Sequence, residues 1–340
     1  FRLPVTIITG FLGSGKTTLL RHLLKSSNKR LAVIVNEFGS VGLDGDLLKS
    51  CGFCSESEMQ GRLIELNNGC LCCTVQDDFL PTMEKLLTHS ENLDGIVIET
   101  SGLALPKPLL QALSWPEIRS SVHINGVVSM VDGEALNSGS PVGDISALDE
   151  QRKNDEMIDH LTPINELFSD QMAVADLVLI SHADTLSTVS IEKIRNQLST
   201  EIQPSTQILP ISNGQIAPSI VLGLDHSNIN FSQPDDHHHL DVISTTVRIE
   251  SKVTQKDVRR ILPLLAIRFQ IIRLKGRCWL PGKSLPLQIQ MVGQRFDSWY
   301  EEVPKETWRP SKSGLDLVVL SFRKGADDAI RSEFCDQSVK

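Results

Sequence analysis

The chain has 340 residues, 40% hydrophobic and 22% charged, with 33 Lys and Arg against 42 Asp and Glu for a formal charge of −9. That length exceeds one small core and suits two domains, the hydrophobic share excludes a disordered chain, and the acidic balance argues against nucleic acid or an anionic membrane as partner. No apolar run reaches the roughly 18 residues that span a bilayer, and seven unevenly spread cysteines fit free thiols or metal ligands better than a disulfide framework.

The opening "FRLPVTIITG" has neither the basic start nor the small-residue cleavage site of a secretory leader, so the expected compartment is the cytoplasm. Within it, "VTIITG" (5–10) reads as a buried strand, and "KTTLLRHLLK" (16–25) follows with helical spacing. Further strands are expected at "LAVIVNEFG" (31–39), "RLIEL" (62–66), "DGIVIETSG" (94–102), "INGVVSMVD" (124–132), "ADLVLISHAD" (175–184) and "STQILPIS" (205–212). Helical stretches such as "DDFLPTMEKLLTH" and "IEKIRNQLS" separate them. Short apolar strands alternating with helices predict an α/β domain, residues 1–222, with a mostly parallel sheet and helices on both faces.

Residues 223–241 are polar, hold a Pro and lack periodicity, which reads as a linker. Beyond it, "VISTTVRIES" (242–251), "QIIRLKGRCWL", "LPLQIQMVG" and "LDLVVLSF" read as strands, and "QKDVRRILPLLA" (255–266) as a helix with Pro263 near its end. These predict a small α+β domain over 242–325 with an antiparallel sheet, followed by a tail at 326–340.

"GFLGSGKT" (10–17) matches G-x-x-x-x-G-K-[ST] between a strand and a helix, the context a phosphate-binding loop requires. Gly10, Gly13 and Gly15 let the loop, Ser14 included, curl so that backbone N–H groups face phosphate oxygens. Lys16 can reach the β and γ phosphates, and the Thr17 hydroxyl can ligate Mg²⁺. "IVIETSG" (96–102) resembles the acid-ending strand and following turn of GTPases. Glu99 is expected to hold Mg²⁺ through water or to orient the attacking water, and Gly102 to offer its N–H to the γ-phosphate. "ISHAD" (180–184) stands where GTPases read the base. Asp184 can accept from guanine, while Ser181 and His182 replace the usual Asn and Lys and weaken the expected selectivity. A plain strand-to-helix turn is the alternative there.

"NNGCLCCT" (67–74) puts Cys70, Cys72 and Cys73 into four positions. "TVQD" (74–77) fits a capping box with Thr74 as N-cap, and the positive helix end behind it favours thiolate. In an extended segment Cys70 and Cys72 share a face. Zn²⁺ and Co²⁺ both accept such thiolates, and two or three ligands leave a coordination position open. The segment lies between the phosphate loop and Glu99, the part of a GTPase that moves when the γ-phosphate leaves. Cys51 and Cys54 form C-x-x-C and, with the later cysteines, offer a closed structural zinc site as the alternative. Cys278 and Cys335 stand alone and read as packing or surface residues.

"GFLGSGKTTLL", "NEFG" (36–39), "ELNNGCLCCT" (65–74) and "ETSGLA" (99–104), in this order, resemble the CobW-type P-loop GTPase metallochaperones. "ETSGLALPKPLLQAL", "WPEIRS", "QMAVADLVLI" and "LKGRCWLPGK" extend the resemblance to nearly the whole chain. It implies Mg-GTP binding, slow GTP hydrolysis and delivery of a metal to a client protein. By position it implies that Gly13 to Thr18 hold phosphate and Mg²⁺, that Glu37 lies near the Mg²⁺ and metal sites, and that Cys70, Cys72 and Cys73 hold the delivered ion. For the cobalamin branch that ion is Co²⁺ and the cobaltochelatase is a candidate client; zinc-delivering relatives share the motifs. A regulatory NTPase with a structural zinc site is the further alternative. "DDHHHLD" (235–241) is like the family's metal-rich linkers but short, and is more simply a solvated run. The sequence leaves the oligomeric state open.

Overall fold

The computed structural model describes residues 2–35, 63–65, 75–100, 102–146, 148, 162–223 and 242–335. Glu37, Cys51, Cys54, Cys70, Cys72, Cys73, the Thr74 cap and the "DDHHHLD" run lie outside the described residues. The chain divides into two compact units, Phe1–Gln203 with Ile208–Val221, and Leu222–Lys340 with Pro204–Gln207.

In the first unit the order is β1 (Leu3–Thr9), α1 (Lys16–Ser26), β2 (Leu31–Val35), β3 (Leu63–Glu65), α2 (Val75–Leu87), β4 (Gly95–Glu99), α3 (Pro106–Ala112), β5 (Val122–Asp132), α4 (Gly133–Asn137), α5 (Ile164–Ala173), β6 (Leu177–Ser181), α6 (Thr188–Leu198), β7 (Gln207–Pro210) and α7 (Pro218–Leu222). The strands form one seven-stranded sheet in the order β3-β2-β4-β1-β5-β6-β7, and the pairs from β3 through β6 are parallel. β4 is buried at every residue, because a central parallel strand has neighbours on both sides and helices over both faces. Val5, Ile7, Ile96 and Ile98 pack with Phe79 and Met83 of α2 and Leu109 of α3. Val131, Val178 and Ile180 pack with Phe168 and Met172 of α5 and Ile194 of α6.

This topology fixes where chemistry can occur. A parallel sheet brings the C-terminal ends of neighbouring strands to one end of the sheet, where Ile8 is level with Glu99, Thr9 with Ser129, and Asp132 with Ser181. The chain runs from β1 to β2 past the place that β4 fills, and then to β5 on the opposite side of β1. Such a reversal of strand order opens a crevice beyond the strand ends.

The second unit has β8 (Ile243–Glu250), α8 (Gln255–Phe269), β9 (Ile271–Trp279), β10 (Leu287–Val292), β11 (Arg295–Tyr300), β12 (Gly314–Ser321) and α9 (Ala326–Cys335). Its sheet runs β11-β10-β9-β12-β8, with every neighbouring pair antiparallel. Val247, Leu274, Ile289 and Leu317 pack under Val258, Ile261 and Leu265 of α8 and Ile330 and Phe334 of α9.

Three details depart from expectation. The stretch from Ala326, read as a tail, is a helix whose Ala326, Ile330 and Phe334 recur every four residues and are buried against the sheet. α8 runs three residues beyond the expected end at Ala266, to Phe269, and stops where Gln270 turns left-handed at φ 50°. β11, "RFDSWY", was not expected. It is an end strand with only Phe296 packed on the core, so it lacks an apolar run, and the hairpin turn at Gly293 sets its register. Among the described residues no helix is long and apolar enough to cross a membrane.

Candidate nucleotide site

The loop between β1 and α1 is shaped by contacts that exclude side chains. Gly10 adopts φ +138°, and a Cβ there would lie 2.2 Å from the Met130 carbonyl oxygen on β5. Gly15 caps α1 in the left-handed region at φ 94°. Between them the Ser14 N–H donates to Phe11 O at 3.2 Å, closing the turn. The Ser14 hydroxyl is buried and meets no hydrogen-bond partner among the described residues, so an anion's oxygen would satisfy it. The first N–H groups of α1 have no acceptor within their own helix and point the same way.

Lys16 is only 8% exposed and folds back over the loop, its Nζ donating to Gly10 O at 2.8 Å and Phe11 O at 3.1 Å. Thr17 Oγ1 donates to Glu99 Oε1 at 3.0 Å, joining α1 to the end of β4 across 82 positions of sequence. Glu99 is 5% exposed. Next to it, Thr100 N–H donates to Ile8 O at 2.9 Å and Thr100 Oγ1 to Thr9 Oγ1 at 3.1 Å, which ties β4 to β1. The hydroxyl of Thr17 and the carboxylate of Glu99 are the hard oxygen donors that Mg²⁺ takes, so the residues present fit that ion. Gly102 follows, and a Cβ on it would lie 2.6 Å from Leu12 N, so only glycine lets this turn rest on the phosphate loop.

The expected base-reading turn lies at the same end of the sheet. A Cβ on Gly15 would sit 3.6 Å from Ser181 Cβ. The Ser181 hydroxyl donates to Val131 O at 3.1 Å, so here it braces β6 on β5 rather than facing outward as a base donor. His182 is left-handed at φ 54°, and its Nδ1 lies 3.3 Å from Asp132 Oδ1. Asp184 is exposed in the 3-10 turn Ala183–Thr185. Thr18 is exposed at the start of α1.

The structure therefore gathers Gly10, Gly13, Ser14, Gly15, Lys16, Thr17, Glu99 and Gly102 into one constellation, with Ser181 at its flank. Sequence reading missed Asp132, which also accepts from Glu134 N at 3.0 Å and Ala135 N at 3.2 Å. Its signal was a carboxylate ending a central strand. It also missed the loop at Gly214, where a Cβ would be 2.9 Å from Leu19 N, and Gln171, whose Nε2 donates to Gly102 O at 3.1 Å. Neither has a local motif, since each matters through a partner distant in sequence.

Of the two isolated cysteines, Cys278 is buried in the second unit, where loss of solvent pushes its thiol up to about 12; Cys335 is exposed. Among the described residues no group of three or more His, Cys, Asp or Glu is placed to hold a metal.

Residues 4–210 match the family described as CobW/HypB/UreG, nucleotide-binding domain, and residues 242–334 match the cobalamin synthesis protein cobW C-terminal domain. The chain is 43% identical over 311 residues to a zinc chaperone CobW of Pseudomonas aeruginosa, covering 88% of this chain and 83% of the relative. It is 39% identical over 345 residues to a zinc chaperone CobW of Sinorhizobium sp, covering 97% and 96%. The crystal structure of Zn(II)-bound YjiA GTPase from E. coli aligns over 99% of both chains at 24% identity, with a TM-score of 0.43. With its nucleotide-binding and C-terminal regions both matched, the chain belongs to the CobW/HypB/UreG family.

Proposed function

We propose that this chain binds GTP with Mg²⁺ at residues 10–18, hydrolyses it, and couples turnover to delivery of a divalent metal from Cys70, Cys72 and Cys73 to a client protein. The observation that carries the nucleotide half is the 3.0 Å bond between Thr17 Oγ1 and Glu99 Oε1 beside a buried Lys16. Lys16 now bonds two neutral carbonyls. Exchanging them for β and γ phosphate oxygens gives the ammonium anionic acceptors in place of neutral ones. Mg²⁺, held by Thr17 and Glu99, would neutralise charge developing between those phosphates. Glu99 is also the proposed group that orients the attacking water, and Gly102 N–H is the proposed donor to the γ-phosphate. Base selection is assigned to Asp184, and phosphate contacts to Gly13 through Thr18.

The cargo is proposed to be Zn²⁺, which the names of both CobW relatives favour. Co²⁺, with the cobaltochelatase of cobalamin synthesis as client, is the second reading, favoured by the description of the matched C-terminal family. Glu37 is proposed to lie between the Mg²⁺ and cargo sites. The reading places the chain in the cytoplasm, where thiols stay reduced.

Titrating Zn²⁺ and Co²⁺ separately, with a Mg-bound non-hydrolysable GTP analogue and with Mg-GDP, tests the coupling. Tighter binding in the triphosphate state is expected, and equal affinity in both states would refute the switch. Cys72→Ser should stay folded, bind GTP and lose the cargo. If it unfolds instead, the cysteines form a structural zinc site.

A further inference from the structure

Gln171 on α5 is completely buried, and the nucleotide reading above gives it no task. Its Nε2 donates to two backbone carbonyls, Gly102 O at 3.1 Å and Ala104 O at 3.3 Å. A primary amide is the uncharged side chain that offers two protons from one atom, so a single residue can hold two carbonyls of one turn. The opposite end of the amide, Oε1, is buried with no hydrogen-bond partner among the described residues. An apolar residue of similar volume would avoid burying that oxygen, so packing alone does not account for Gln171.

The neighbours of Gln171 link it to the phosphate loop. One helical turn back, Phe168 stacks on Phe11, with ring centroids 6.2 Å apart and planes 8° from parallel. The Phe11 carbonyl is one of the two acceptors of Lys16. Gly102 in turn lies against the loop backbone at Phe11 and Leu12, as its excluded Cβ shows. Leu103 and Ala104 are buried in the same apolar cluster as Phe11 and Phe168. Loop, turn and helix thus meet at one junction, and the turn cannot change position without breaking or dragging the two bonds from Gln171.

We infer that Gln171 is a positioning residue that holds the Gly102–Ala104 turn against the phosphate loop, so that the turn meets the terminal phosphate of a nucleoside triphosphate. The inference rests on the GTPase reading. It separates triphosphate from diphosphate, because a diphosphate has no group at the place the turn addresses. Gln171→Met fills the space without donors. Gln171→Glu places a carboxylate, an acceptor, against two carbonyls. Gln171→Asn keeps the donors but withdraws them by one carbon.

The experiment measures, on the full chain with Mg²⁺, the affinity for fluorescent GDP, the affinity for a non-hydrolysable GTP analogue, and steady-state phosphate release. For Gln171→Met the inference expects GDP affinity within about twofold of the unaltered chain, with the analogue weakened and kcat lowered each by about tenfold. Gln171→Asn should fall between the two and serves if the methionine variant does not fold. A parallel loss of GDP and analogue affinity would mark a merely structural role and overturn the inference, as would unchanged kcat and affinity ratio in a folded variant. If the unaltered chain binds neither nucleotide, the GTPase reading itself falls and this inference with it.

Discussion

Both units bury charged and polar side chains in a sheet, yet among the described residues only the first gathers them at one end of it. In the first unit Thr9, Ser14, Lys16, Glu99, Thr100 and Ser181 are buried at the C-terminal end of a parallel sheet, on three strands or the segments that follow them. In the second, Arg273, Gln288, Gln290 and Asp316 are buried along strand interiors, alternating with core residues. The difference lies in strand direction. Parallel strands deliver all their C-terminal loops to one end, so residues far apart in sequence converge there. Antiparallel strands alternate their ends, and their polar residues answer the needs of the sheet instead: Asp316 accepts from Arg248 Nε at 3.0 Å on the neighbouring strand.

The largest effect is expected from removing the charge at the centre of the convergent residues. Lys16→Ala should weaken GTP and GDP binding by about a hundredfold or more. Nucleotide titration by fluorescence checks it, with circular dichroism showing an intact fold. Retained affinity would mean that the convergence is not a nucleotide site.

Two glycines, one in each unit, meet the same steric limit. A Cβ on Gly10 would lie 2.2 Å from Met130 O, and one on Gly276 2.2 Å from Asp316 O. Gly10→Ala and Gly276→Ala should each cost about 2 kcal/mol or more of stability. Only the first should also reduce nucleotide affinity when both are measured below their melting temperatures. Smaller still is Cys278→Ala, expected to cost about 1–2 kcal/mol through the cavity it leaves. With its thiol held neutral up to about 12 by burial, Cys278 should resist alkylation at pH 8 in the native state, and its loss should leave cargo metal affinity unchanged.

The smallest effect concerns Arg30 and Asp94, a 3.1 Å ion pair joining the residues just before β2 and β4. Burial pushes the Asp94 carboxyl up, but the hydrogen bonds and charge of Arg30 outweigh it and hold the group below its ordinary value of 3.8. A depressed carboxyl stabilises the fold above that ordinary value and loses the contribution as pH falls through the lowered one. Arg30→Ala should therefore lower the melting temperature slightly at neutral pH, with the gap narrowing in strong acid.

Particular residues show what could be read in advance. The phosphate loop was legible because its constraints are local: the spacing from Gly10 to Thr17 encodes both backbone freedom and the two side chains that follow. The apolar runs of β1, β4, β5 and β6 were legible because burial on both faces leaves no room for alternation. α9 carried its signal at Ala326, Ile330 and Phe334, overlooked because a short helix near a chain end resembles a polar tail. β11 carried almost none, since its register comes from pairing with β10.

Residue spacing along one strand or one turn was enough to show the glycine-rich loop between β1 and α1 and the mostly parallel character of the first sheet, because each is a local pattern. Tertiary structure alone decided that Thr17 meets Glu99, that Ser181 turns to Val131, that His182 pairs with Asp132, and that Gln171 grips the turn at Gly102. These are side-chain bonds between strand ends and helices brought together by sheet order, and no local pattern of residues records which neighbour each will find.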